Sequence, residues 1–145
     1  MKQIKHFYCL LALFAGLAAC SSYGDYRIHN ARLFYNDGDL EWAKEQALLS
    51  LEEQFDTIAR KEALTFLGMI YNDLRQVDSA VYYHQLALEE DPLFASAWTN
   101  MAIAYSHNGQ LPQADSCYQR AYAIDPKDPI LLGSMGALEV KRQRY

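Results

Sequence analysis

Proline and glycine are scarce, at four and seven in 145 residues. So low a content excludes a low-complexity linker or a collagen-like repeat. Runs of β-branched residues are few, and the long alanine-rich apolar segments favour helix over strand. Positive charge is also short: 13 Lys and Arg stand against 18 Asp and Glu, a formal charge of −5. A chain of that sign does not bind nucleic acid by neutralising phosphates, nor does charge alone hold it to an anionic bilayer. What the composition does supply, 51% hydrophobic and 21% charged residues, is enough to bury the core of one domain.

The signatures of catalysis are missing too. There is no glycine-rich phosphate loop, no Gly-x-Ser-x-Gly elbow and no His-Glu-x-x-His helix. His6 and His29 gather no set of carboxylates and cysteines at metal-ligand spacing. The pairs Glu52-Glu53 and Glu89-Glu90 are adjacent residues near helix ends, which is the pattern of a solvated face. His107 and Cys117 fall on the two helices of one hairpin and could meet as a thiolate–imidazole pair, but nothing in the sequence orients them. No enzyme, cofactor, metal or small-molecule substrate is therefore expected.

No apolar run is long enough to cross a membrane. The longest, residues 7–19, follows Lys2 and Lys5 and spans roughly 20 Å as a helix, against a hydrocarbon core of about 30 Å. That is the pattern of a secretory signal. Leu17-Ala18-Ala19-Cys20 resembles the lipobox of bacterial lipoproteins, which implies cleavage after residue 19 and lipid on Cys20; the alternative is an ordinary signal with an incidental cysteine. Cleavage would remove Lys2 and Lys5 and take the formal charge from −5 to −7. Residues 20–23 then form a short tether, and acyl chains on Cys20 are the membrane attachment, each buried CH₂ contributing about 0.8 kcal/mol. Ser21 and Ser22 follow the cysteine where an aspartate at the next position would signal inner-membrane retention in enteric bacteria, so the expected location is a periplasm-facing outer-membrane site. With Cys9 lost in the signal and Cys20 lipidated, Cys117 is left without an intramolecular disulfide partner, and the fold must stand on packing.

What is abundant is repetition. "LFYNDGDLEWA" (33–43), "IYNDLRQVDSA" (70–80) and "AYSHNGQLPQA" (104–114) each run across a polar turn to an alanine. The second and third share an offset of 34 residues, which pairs Tyr71 with Tyr105, Ala80 with Ala114, Leu64 with Trp98, Leu67 with Met101, Gly68 with Ala102, Ala87 with Ala121 and Pro92 with Pro126. A period of that length marks a helical solenoid, and the recurring stretch is the turn inside each hairpin.

These residues resemble tetratricopeptide repeats, whose pattern is W-x2-L-G-x2-Y followed by A, F, A and P. Residues 95–128 read Trp98, Met101, Ala102, Tyr105, Ala114, Tyr118, Ala121, Pro126; residues 61–94 read Leu64, Leu67, Gly68, Tyr71, Ala80, His84, Ala87, Pro92, with His84 in the usual aromatic place. Residues 24–57 are a weaker copy (Ala31, Phe34, Ala43, Phe55); 58–60 extend the next helix backwards, so that this unit runs 58–94. Residues 129–145 begin a fourth with Leu132, Met135 and Gly136, but carry Glu139 where tyrosine belongs. Either this last helix caps the stack or the array is incomplete. The expected fold is all-α, an α-solenoid of antiparallel helix hairpins.

Packing chemistry gives the same fold. Gly68, Ala80, Ala102 and Ala114 are small where paired helices must approach, while Tyr71, Trp98, Tyr105 and Tyr118 fill the gaps between layers. Helix limits follow: Asp56 or Thr57 caps a helix reaching Asn72, Asp78 caps 79–90, Gly109 ends a helix from Ser96, Pro112 sits in a first turn, and Asp128-Pro129 is a cap with a first-turn proline.

The resemblance implies a concave groove lined by the first helix of each hairpin and occupied by a peptide or partner helix. Helix phase assigns to it Tyr35, Asn36, Thr65, Met69, Asn72, Thr99, Asn100, Ile103, Ser106 and His107. Co-chaperones of the family that grip a C-terminal carboxylate use lysine, asparagine and arginine; here the matching places hold Thr65, Met69, Ile130 and Ser134, and only Asn100 agrees, so that clamp is excluded. His84, mid-helix, reads as a packing residue rather than a ligand. The functional expectation is a lipid-anchored envelope scaffold that binds a protein partner, similar to the small repeat lipoproteins that help assemble envelope machines such as pilus pilotins. The alternatives are the N-terminal scaffolding or sensory segment of a larger polypeptide and, last, a Cys117–His107 hydrolase.

Overall fold

Alanine-rich segments punctuated by short polar turns become helices, and the computed structural model describes residues 23–52 and 57–143 as helices and turns throughout. The order is α1 (Tyr23–Asn36), α2 (Leu40–Glu52), α3 (Thr57–Asp73), α4 (Val77–Glu90), α5 (Ala95–His107), α6 (Leu111–Ile124) and α7 (Pro129–Arg142). Cys20 and the signal segment lie outside the described residues, as does Asp56. Among the described residues no helix is long and apolar enough to cross a membrane.

Successive helices pack as antiparallel hairpins, α1 on α2, α3 on α4 and α5 on α6, with α7 laid on α5 and α6. The odd-numbered helices also touch one another in succession, and no described helix touches one more than two places away in the chain. That is a solenoid with the odd-numbered helices on its inner side. Among the described residues two clusters form the core: Ala31, Ala43, Ala47, Phe66, Leu67 and Ile70 under the first hairpins, and Leu64, Met101, Ala102, Ala114, Tyr118, Leu131 and Leu138 under the later ones. Leu51 and Tyr83 border both and make the core continuous. The small residues do what their positions require: Ala80, Ala102 and Ala114 are fully buried at helix crossings.

Turns between paired helices use the left-handed region at Gly38 (φ 78°) and Gly109 (φ 76°), where glycine meets no steric penalty. The middle turn has Arg75 there instead, at φ 61°. Asp128 caps α7 by accepting from the Ile130 N–H at 2.8 Å, with Pro129 in the first turn. Asp78 is not a cap. α4 begins at Val77, its cap position is Gln76 with no side-chain bond, and Asp78 falls inside the first turn, where its carboxylate meets the positive end of the helix dipole.

Candidate functional site

The inner helices enclose a groove of about 860 Å³ that runs past residues of α1, α3, α5 and the start of α7. Nine of the ten positions assigned by helix phase border it: Tyr35, Asn36, Thr65, Met69, Asn72, Thr99, Asn100, Ile103 and His107. Ser106 does not; its carbonyl is engaged by the Lys141 ammonium of α7. Phase alone missed Arg32, Glu62, Phe66, Asp73, Phe94, Ser96, Asp128 and Ile130, which make the walls, and His84 of α4, which reaches the floor. His84 gets there because α3 has Gly68 in between: a Cβ on that glycine would lie 2.4 Å from the His84 ring.

The floor is polar and deeply buried. Thr65, Asn72, His84 and Thr99 are at most 9% exposed, so phase put three of them in the groove but did not show how deeply they are set. Burial pushes the His84 imidazole down to about 3, so the ring is neutral at physiological pH, with one donor and one acceptor nitrogen. The walls carry the charge. Glu62, Asp73 and Asp128 face the groove with Arg32 as the permanent cation of its lining, and Arg32 is already engaged, 3.6 Å from Glu62 and above the Phe66 ring at 6.0 Å. Tyr35 donates its hydroxyl to Asp73, and its own pKa is pushed up to about 12 by burial and by that carboxylate. His107 is held below its usual value by burial and by nearby Arg75 and Lys141. Ile130 stands 65% exposed at one end of the groove, in a place where a carboxylate clamp would need a cation.

The thiolate–imidazole alternative fails on electrostatics. Cys117 is buried in the core among Tyr118, Ala114 and Leu131, and burial pushes its thiol up to about 11. His107 belongs instead to the groove wall, so the helix pair does not deliver a thiolate nucleophile at neutral pH.

This architecture defines a class: an all-α helical-repeat solenoid with a concave, mixed polar and apolar inner face. The repeat itself is recognisable, since residues 95–128 match the family described as tetratricopeptide repeat. The chain therefore contains a tetratricopeptide repeat at residues 95–128. Over 64 residues it is 41% identical to photosystem I assembly protein Ycf3 of Synechococcus sp. (strain WH7803), a match covering 43% of this chain and 37% of that relative's length. Among solved structures it is similar to the first TPR of Spaghetti (RPAP3) bound to the HSP90 peptide SRMEEVD, with TM-score 0.74 and 13% identity over 85% of this chain and 95% of that one. It is also similar to the Hsp90 co-chaperone Cns1 of Saccharomyces cerevisiae, with TM-score 0.79 and 16% identity over 88% of this chain and 42% of that one. A third is YrrB, a TPR protein with an unusual peptide-binding site, with TM-score 0.71 and 21% identity over 86% of this chain and 61% of that one. At these identities the structural likenesses establish the fold.

Proposed function

We propose that this protein is a non-catalytic scaffold that holds a segment of a protein partner in the groove of its inner helices, and that a lipid on Cys20 fixes it to the bacterial envelope, facing the periplasm from the outer membrane. The groove carries the first half of this reading. It is long and open, it interleaves Asn36 and Asn100 with Met69 and Ile103, and an amide side chain can both give a bond to a peptide backbone and accept one. A function in assembling a larger envelope complex fits a long, open groove, and the partial match to an assembly protein supports it. The lipobox-like Leu17-Ala18-Ala19-Cys20 carries the second half.

Two experiments test the halves separately. A photocrosslinker placed at Asn100 in cells should capture a discrete protein, and Ile103→Arg should abolish the capture; an unchanged capture would remove the groove from the function. Metabolic labelling with a fatty-acid analogue should mark the wild-type chain and not Cys20→Ala, and equal labelling of both would end the anchoring reading.

A further inference from the structure

Among the described residues, the buried side-chain polar atoms that lack a hydrogen-bond partner are Thr65 Oγ1, Asn72 Oδ1, both ring nitrogens of His84, and Thr99 Oγ1. All four residues border the one groove. A buried polar atom left unpaired typically costs about 1–3 kcal/mol, and folded proteins keep few of them. Defects of packing would scatter through the core. These gather on one floor, at 5%, 9%, 0% and 2% exposure, and they come from two successive repeats: Thr65 and Thr99 are the same position one period of 34 residues apart.

We propose that the groove is built for a basic polypeptide segment that presents an uncharged hydrogen-bonding side chain, an amide or a hydroxyl, to this floor. The inference rests on the groove-binding reading above and specifies its ligand. Hydroxyls, a neutral imidazole and an amide oxygen offer donors and acceptors together, which is the complement of an Asn, Gln, Ser or Thr side chain. A carboxylate would meet one permanent cation in the lining, Arg32, already shared with Glu62 at 3.6 Å, against the three carboxylates Glu62, Asp73 and Asp128, so the balance of charge disfavours it. The same three carboxylates suit Lys or Arg on either side of the floor residue. Tyr35 fixes Asp73 and the Ile130 N–H fixes Asp128, each through one bond, and a carboxylate has about four lone-pair sites, so they are oriented without being saturated. An occupant of polypeptide length follows from the groove's reach across four helices.

The test is selection of a displayed random dodecapeptide library on the full chain, followed by affinity measurements with the peptides recovered. The expected winners carry Lys or Arg flanking a fixed Asn, Gln, Ser or Thr. Their affinity for a Thr65→Val/Thr99→Val variant should fall about tenfold, the scale of one or two lost hydrogen bonds. That variant keeps the shape of both side chains, and its thermal midpoint should hold or rise because two orphan hydroxyls are gone; a merely structural role predicts the same midpoint with no change in affinity. Acidic or wholly apolar winners that Ile103→Arg still displaces would overturn this inference and leave the groove function standing. Winners indifferent to Ile103→Arg, or no enrichment at all, would overturn both.

Discussion

His84 stands where the next repeat keeps Tyr118, and its presence reshapes the helix it faces. The imidazole lies so close to α3 that position 68 has no room for a side chain, whereas the equivalent Ala102 does. Gly68→Ala should therefore cost about 1–3 kcal/mol, seen in urea or thermal unfolding, even though alanine is the better helix former. The same ring sets a pH dependence. In the folded chain it accepts a proton only near pH 3, while an unfolded histidine does so near 6.5. Between those values the unfolded chain binds the additional proton, so this contribution to stability is full above about pH 6.5 and is lost as pH falls, at up to about 1.4 kcal/mol per unit. His84→Phe, which restores the aromatic usual at this position, should lose that slope, and the gap in unfolding free energy between wild type and variant should move in the variant's favour from pH 7 to pH 4. In the middle turn, Arg75 holds a positive φ that Gly38 and Gly109 hold in the flanking hairpins. Arg75→Gly should raise stability by about 0.5–1 kcal/mol in the same assay. The sequence alone marked 84 as a packing position. It could not show that both nitrogens go unpaired, because that depends on which groups the neighbouring helices bring to the ring.

Helices α1 to α6 pair with a partner inside their own hairpin, whereas α7 rests on α5 and α6 through Leu131 and Leu138, seven residues apart on one face and both nearly inaccessible. Ion pairing adds little there, since Arg142 meets Asp115 at 3.2 Å with both side chains about one-third exposed. Leu131→Ala should therefore cost about 2–5 kcal/mol, and amide hydrogen exchange should accelerate in α7 while α1 and α2 keep their protection. Helix ends show where local sequence suffices and where it does not. Asp128 was legible because a proline follows it, and the two together leave one place for a helix to begin. Asp78 misled because the backbone of the preceding turn, set by Arg75, already starts α4 at Val77.

For the whole molecule, coupling is confined to near neighbours in the chain. Ala31→Gly in α1 and Leu138→Ala in α7 lie in separate core clusters on helices that do not touch. Their effects on unfolding free energy should add within about 0.5 kcal/mol, measured by a double-mutant cycle. The 34-residue period made the stack and the groove's inner helices readable. The depth of Thr65, Asn72 and Thr99 was not readable, since it is fixed by how far each hairpin rotates against the last, a quantity spread over the whole interface.

The restriction of contacts to close neighbours also has a mechanical consequence. A stack whose layers are joined only to those beside them has no long-range strut, so every junction along its axis carries the full tension. Pulled from its two ends, such a body should give way first at its weakest helical junction while the others hold.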